Sequence, residues 1–284
     1  NDNDGEEDEA PRKGGRLRRF GIFFLVMAAV LGVVLVAAYR DGTGFDALHR
    51  YFAYGSSAVS SEKTVYQFDT DNSNRFAEMG DGCLVFLSDT ALRMLGADGS
   101  EIWSANVQMT APALVQGGGK IAAYDVGGTA VYVLDENGEQ MELTAEGPIV
   151  SASLNSSGML AVTSQVSGTK GRVDVYTADG SALAEVNAHR RFVADACVTE
   201  DGKSLSVVLM GQEDGTFVSD VSFYDLTRPG EAEVTADYVV PDGLVTAMGC
   251  HGSSILTVTD TCFASGRANG KLTGTYSYDG EYLR

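Results

Sequence analysis

The chain of 284 residues carries 39 acidic and 20 basic side chains, a formal net charge of −19, with 34 glycines and 44% apolar residues. That charge argues against a nucleic-acid partner, which requires clustered Lys and Arg; the apolar content suffices for one large or two ordinary domains. The sequence opens on Asn1 and runs to Arg284, and is expected to be a piece of a longer protein, truncated at its C-terminal end.

Residues 1–19 read as a cytoplasmic disordered tail. The first ten, NDNDGEEDEA, hold six acids and nothing apolar larger than alanine, too little to drive ordering. The next nine, PRKGGRLRR, hold five bases. Residues 20–39, FGIFFLVMAAVLGVVLVAAY, contain no charge. Twenty helical residues rise ~30 Å, the thickness of a bilayer's hydrocarbon core, so a transmembrane helix is expected. Arg12, Lys13, Arg16, Arg18 and Arg19 precede it and only Arg40 follows closely, which places the N-terminus in the cytoplasm and the rest outside. A cleaved signal peptide competes, with Val36 and Ala38 as small residues at peptidase spacing; the apolar run is longer than the usual h-region. The tail is nearly neutral, so 33 acids and 15 bases, net −18, fall beyond residue 19.

Residues 40–64 form a juxtamembrane connector. Phe45, Leu48 and Phe52 recur at helical spacing, predicting a short amphipathic helix, and SSAVSSE reads as a linker. From about residue 65 the pattern changes. Gly99, Gly138, Gly180, Gly230 and Gly280 form one series of turns, and Gly82, Gly119, Gly158, Gly202 and Gly252 a second. Two interleaved series with a period near 40 predict one unit repeated about five times. The third unit splits into PIVSASL, MLAVTSQ, GRVDVYT and SALAEVN; the fourth splits in the same way. Four strands per unit predict an all-β fold, a β-propeller of four-stranded blades over 65–284. The first strand of each unit is rich in small residues, such as Ser151, Ala152 and Ser153, as crowding about a central axis demands; a β-sandwich ranks second.

The stretch ADGSEIW (97–103) places an Asp98-Gly99 turn before Trp103, and resembles the repeat of pyrroloquinoline-quinone-type propellers. NSSGMLAVTS (155–164) and TEDGKSLSVV (199–208) resemble hairpins of WD40-like and TolB-like blades. The whole arrangement, with its basic flank, single helix and FDALHRYFAYG connector, is similar to a family of uncharacterised single-pass membrane proteins of Gram-positive bacteria. That resemblance implies topology and no chemistry.

No catalytic, cofactor or metal residue is assigned. A quinone site is not expected, because no two cysteines adjoin and Trp103 is the only tryptophan. His49, His189 and His251 lack metal-ligand spacing and are expected to face solvent. Asp69, Asp71 and Ser73 in DTDNSN alternate like calcium ligands, but Asn74 and Gly80 stand where an EF-hand needs Gly and an acid. GGGK (117–120) reads as a hairpin turn and not a phosphate loop. Cys83, Cys197, Cys250 and Cys262 are expected to be four free thiols; Cys250 and Cys262 would sit ~20 Å apart along their hairpin.

The reading that results is a membrane-anchored extracytoplasmic propeller, a non-catalytic binding or scaffold module of the cell envelope with a protein or envelope partner. The rivals are a wall-directed hydrolase with a cross-blade active site, and a sensor signalling through the helix. Trp103 is expected to be mostly buried and to fix one blade against another.

Overall fold

The computed structural model describes residues 24–27, 74–80, 82–241 and 243–278. The chain divides into two units, residues 1–60 and 61–284. Of the first, residues 24–27 are described and are helical. Among the described residues no helix is long and apolar enough to cross a membrane. The span expected at 20–39 lies mostly outside them, as do the tail, the connector, His49 and the loop residues Asp69, Asp71 and Ser73.

In the second unit the chain runs through five antiparallel sheets in sequence order. The first holds β1 (Arg75–Met79), β2 (Cys83–Leu87), β3 (Ala91–Leu95) and β4 (Glu101–Asn106). The second holds β5 (Pro112–Gly117), β6 (Lys120–Asp125), β7 (Ala130–Asp135) and β8 (Gly138–Thr144). The third holds β9 (Ile149–Leu154), β10 (Leu160–Ser164), β11 (Gly171–Tyr176) and β12 (Ala182–Ala188). The fourth holds β13 (Phe192–Val198), β14 (Ser204–Glu213), β15 (Thr216–Asp225) and β17 (Val234–Val239). Between its last two strands, β16 (Gly230–Glu231) reaches across and pairs in parallel with β12 of the third sheet. The fifth holds β18 (Val245–His251), β19 (Ser254–Thr259), β20 (Cys262–Arg267) and β21 (Leu272–Ser277). These are the blades that the glycine turns predicted.

Packing follows from strand alternation. In β6, Ile121 and Ala123 join a core with the first blade, while Ala122 and Tyr124 join a core with the third. In β14, Leu205 and Val207 face the third blade and Val208 the fifth. Middle strands are therefore covered on both sides and read as continuous apolar runs. Outer strands alternate, as in β4, whose Trp103 and Ala105 alone reach the core. The four cores lie between successive blades, and among the described residues none lies between the fifth blade and the first.

Every second-series glycine sits in the inner hairpin of its blade, all with positive φ. In the outer hairpins Gly99, Gly138, Gly180 and Gly230 hold the expected places. The fifth does not: the β20–β21 turn is made by Asn269-Gly270, and Gly280 lies outside the described residues. YDGEYL imitates the repeat, but β21 has already supplied the outer strand.

An Asx turn recurs at these corners. Asp98 Oδ1 accepts the Ser100 amide at 2.9 Å and its hydroxyl at 2.6 Å. Asp179 accepts the Ser181 amide at 3.1 Å, Asp201 the Lys203 amide at 3.1 Å and Asp225 the Thr227 amide at 2.8 Å. Hydrogen bonds from Ser100, Thr177, Thr199 and Thr227 hold these four carboxyls below the ordinary carboxylate range. Their folded pKa values lie below the unfolded ones, so their stabilisation is full above about pH 4 and is lost as pH falls through the lowered values. Melting temperature is expected to drop on that acid limb. Changing all four to Asn, which keeps an acceptor, should flatten it; an unaltered limb would show that the turns are not its source.

Candidate functional site

The inner strands of the second to fifth blades, β5, β9, β13 and β18, converge around a cavity of about 480 Å³. Small side chains make this possible: Ser151, Ala152 and Ser153 of β9 stand beside Asp195 and Cys197 of β13 and Met248 and Gly249 of β18. Tyr124 of β6 closes one side, with Asn155, Ser156 and Glu200 of the inner hairpin turns at the rim.

Polar ties stitch the wall. Between the third and fourth blades, Ser153 Oγ donates to the Ala196 carbonyl at 2.7 Å and Asn155 Nδ2 to the Thr199 carbonyl at 3.0 Å. Asn155 Oδ1 also accepts the amides of Ser157 and Met159, both at 2.9 Å, so one buried side chain builds its own turn and fastens the next blade. Between the second and third blades the backbones nearly touch. A Cβ on Gly117 would come within 2.5 Å of the Leu154 carbonyl oxygen, and one on Gly118 within 2.3 Å of the Gly158 nitrogen. GGGK is thus a hairpin turn, as expected, and its Gly117 and Gly118 serve close approach.

Between the fourth and fifth blades the tie is covalent: Cys197 and Cys250 form a disulfide, Cα–Cα 6.3 Å. This overturns the expectation of four free thiols. Cys250 and Cys262 remain apart as their hairpin geometry requires, but Cys197 and Cys250 hold the same place in successive inner strands. Both are the sixth residue, of Phe192–Val198 and of Val245–His251, where strands draw together toward the axis. Cys83 and Cys262 are not in a disulfide.

Asp195 is the carboxylate that the inner strands set into this wall, with Glu200 at the rim. Desolvation by burial pushes its pKa up, opposed by the Ala196 amide, which donates to Asp195 Oδ1 at 2.9 Å. Burial likewise raises Tyr124, and the nearby Asp195 charge adds to it. Among the described residues no Lys, Arg or His lines the cavity. Because the folded pKa of Asp195 is raised, its contribution to stability is greatest below the ordinary carboxylate range and falls as pH rises through the raised value. Asp195→Asn is therefore expected to raise the melting temperature at pH 7 and leave it nearly unchanged in acid. A variant that melts lower at pH 7 would show that the charge is structural.

The site was not legible residue by residue. His189 and His251 are exposed, as expected, with His251 Nδ1 3.5 Å from Glu200 Oε1 at the rim. Among the described residues no group of His, Cys, Asp and Glu is arranged to hold a metal. Asp195, Tyr124 and Asn155 carried no motif; the available signal was their place on or beside the inner strands.

Among the described residues five successive sheets, each built on four antiparallel strands and four of them meeting at one inner wall, define a β-propeller-like protein. The chain belongs to a family of unknown function, DUF5711, which matches residues 52–245. No curated protein matches its sequence. Its fold is similar to that of hydrazine synthase from Kuenenia stuttgartiensis, at 15% identity over 78% of this chain and 72% of that one, TM-score 0.52. It is similar to Hsv2 of Kluyveromyces lactis, at 12% identity over 76% and 77%, TM-score 0.50. A chain of the mitotic checkpoint complex is similar at 12% identity over 74% and 68%, TM-score 0.52. At such identities the likeness shows the fold alone.

Proposed function

We propose that this protein is a membrane-anchored, extracytoplasmic binding module of the cell envelope that engages its partner at the inner-strand cavity. The observation that carries this reading is the cavity itself. Four blades build it, buried polar ties and a disulfide fix its wall, and ligand sites are typically preformed concavities of this size. The disulfide favours an oxidising compartment. It agrees with the outward orientation expected from the bases preceding residues 20–39.

A photo-crosslinking residue at Ser156, on the cavity rim, is expected to capture a partner in intact cells, while one at Thr273 of β21 is not. Capture from neither position, or equally from both, overturns the reading. A reporter that works only outside the cytoplasm, fused after Ser61, tests the topology; activity of a cytoplasmic reporter there would reverse it.

The rival, a wall-directed hydrolase, draws support from the raised Asp195 carboxyl beside Ser151 and Tyr124. Turnover of a wall fragment that disappears in Asp195→Asn would favour it.

A further inference from the structure

We propose that the inner-strand cavity recognises a cation, specifically a primary ammonium group that pairs with Asp195. The inference rests on the reading of this cavity as the binding site and names the chemistry of what enters it.

Three observations converge. Among the described residues the lining supplies two carboxylates, Asp195 and Glu200, and no Lys, Arg or His; Glu200 has His251 3.5 Å away at the rim, whereas no basic side chain stands at Asp195. The group that holds Asp195 is neutral: the Ala196 amide donates to its Oδ1 at 2.9 Å. A charge set into a protein wall without a counter-charge is costly, and is otherwise paired or neutralised. Elsewhere in this fold the acids of partly buried clusters do have such partners. Arg172 reaches Asp174 at 2.7 Å and Glu185 at 3.0 Å, and Arg191 pairs with Glu213 and Asp220. Asp195 has no such partner, nor has Asp125, which accepts the Thr110 and Ala111 amides; of these two only Asp195 lines the cavity. The Ser153 hydroxyl, whose hydrogen goes to the Ala196 carbonyl and leaves the oxygen to accept, suits an ammonium group, which has three donors and no acceptor. Tyr124 adds an aromatic wall, the surface that attracts cations. The net charge of −19 draws cations toward the protein before contact.

Gly249 provides a clean block. It lines the cavity, an added Cβ there meets nothing within 4 Å, and its φ is not in the left-handed region. Gly249→Phe therefore fills the space without straining the backbone.

Calorimetric titration of the full chain with two amines is the test: spermidine, a free polyamine, and Nα-acetyl-lysine methylamide, a lysine side chain in peptide form. The stronger binder tells a small-molecule source from a peptide one. Nα,Nε-diacetyl-lysine methylamide is the neutral control and Nα-acetyl-glutamate methylamide the anionic one. At least one amine is expected to bind saturably, roughly thirtyfold or more weakly to Asp195→Asn, and not at all to Gly249→Phe. Failure of both amines to bind the wild type overturns the proposal, as does unchanged affinity in Asp195→Asn. If a neutral or anionic probe binds and Gly249→Phe abolishes it, the cavity remains a binding site and only the cationic assignment falls. If no probe binds and Ser156 captures nothing in cells, both readings fall.

Discussion

Replacing Cys197 and Cys250 together by serine is expected to destabilise the propeller by ~4 kcal/mol. The crosslink closes a loop of 53 residues between β13 and β18, and loop-closure entropy for that length lies between the ~3 kcal/mol of a short loop and the ~4.7 kcal/mol of a hundred-residue one. That is a large share of the ~5–15 kcal/mol that typically separates folded from unfolded protein. Urea unfolding should show the loss, and the wild type treated with a dithiol reductant should approach the double serine variant. Thiol titration of the denatured, unreduced protein should find two reactive cysteines. Four would show that the bridge is absent in solution, and an unchanged urea midpoint would show that the blades need no such clamp.

Trp103→Ala is expected to cost about 2–3 kcal/mol. Trp103 is mostly buried, as expected, but not fully enclosed: it packs from the outer strand β4 against the core that the first two blades share. The cost is accordingly set below the ~3–5 kcal/mol of a fully enclosed aromatic. What covers it is the next blade, as expected: a Cβ on Gly138 would lie 3.0 Å from Trp103 Cδ1 and Cγ. Gly138 has φ +117°, so Gly138→Ala combines backbone strain with a collision against the ring and should destabilise at the same interface. Trp103→Phe should recover much of the loss. Indole emission of the wild type should fall between buried and water-exposed; a fully exposed spectrum with an Ala variant of unchanged stability would remove the ring from the interface.

The Trp103–Gly138 contact explains why the repeat was readable. At successive borders, the glycine of an outer hairpin approaches the last strand of the blade before it. Gly180 stands 3.1 Å, measured from its added Cβ, from Met141 Cε, and Gly270 stands 2.9 Å from the Asp237 carbonyl oxygen. The glycines recur because their turns take positive φ, and at these three borders contact between blades demands them as well; that demand leaves a period in the sequence. Features without a period stayed hidden. β16 is two residues long and pairs across blades, too short to leave alternation. The disulfide was missed because its cysteines were compared with neighbours along one hairpin and not with the same position one blade away. Asp195 and Asn155 are single residues whose meaning comes only from the four strands that surround them. Gly280 misled in the other direction, since its Asp-Gly pair has the letters of the series while the β20–β21 turn is made by Asn269-Gly270.

The serial order of the cores sets how the array comes apart. Each blade shares apolar surface with the blade before and after it, so stability is a chain of nearest-neighbour couplings and not one indivisible core. Among the described residues the third blade shares one core with the second blade and another with the fourth, and its strand β10 contributes to both. Amide exchange should accordingly be slow in β10, which neither side leaves open. The cavity spans the second to fifth blades, so an occupant that bridges β9, β13 and β18 would add to two successive couplings at once, and ligand capture would register as cooperativity among the third, fourth and fifth blades.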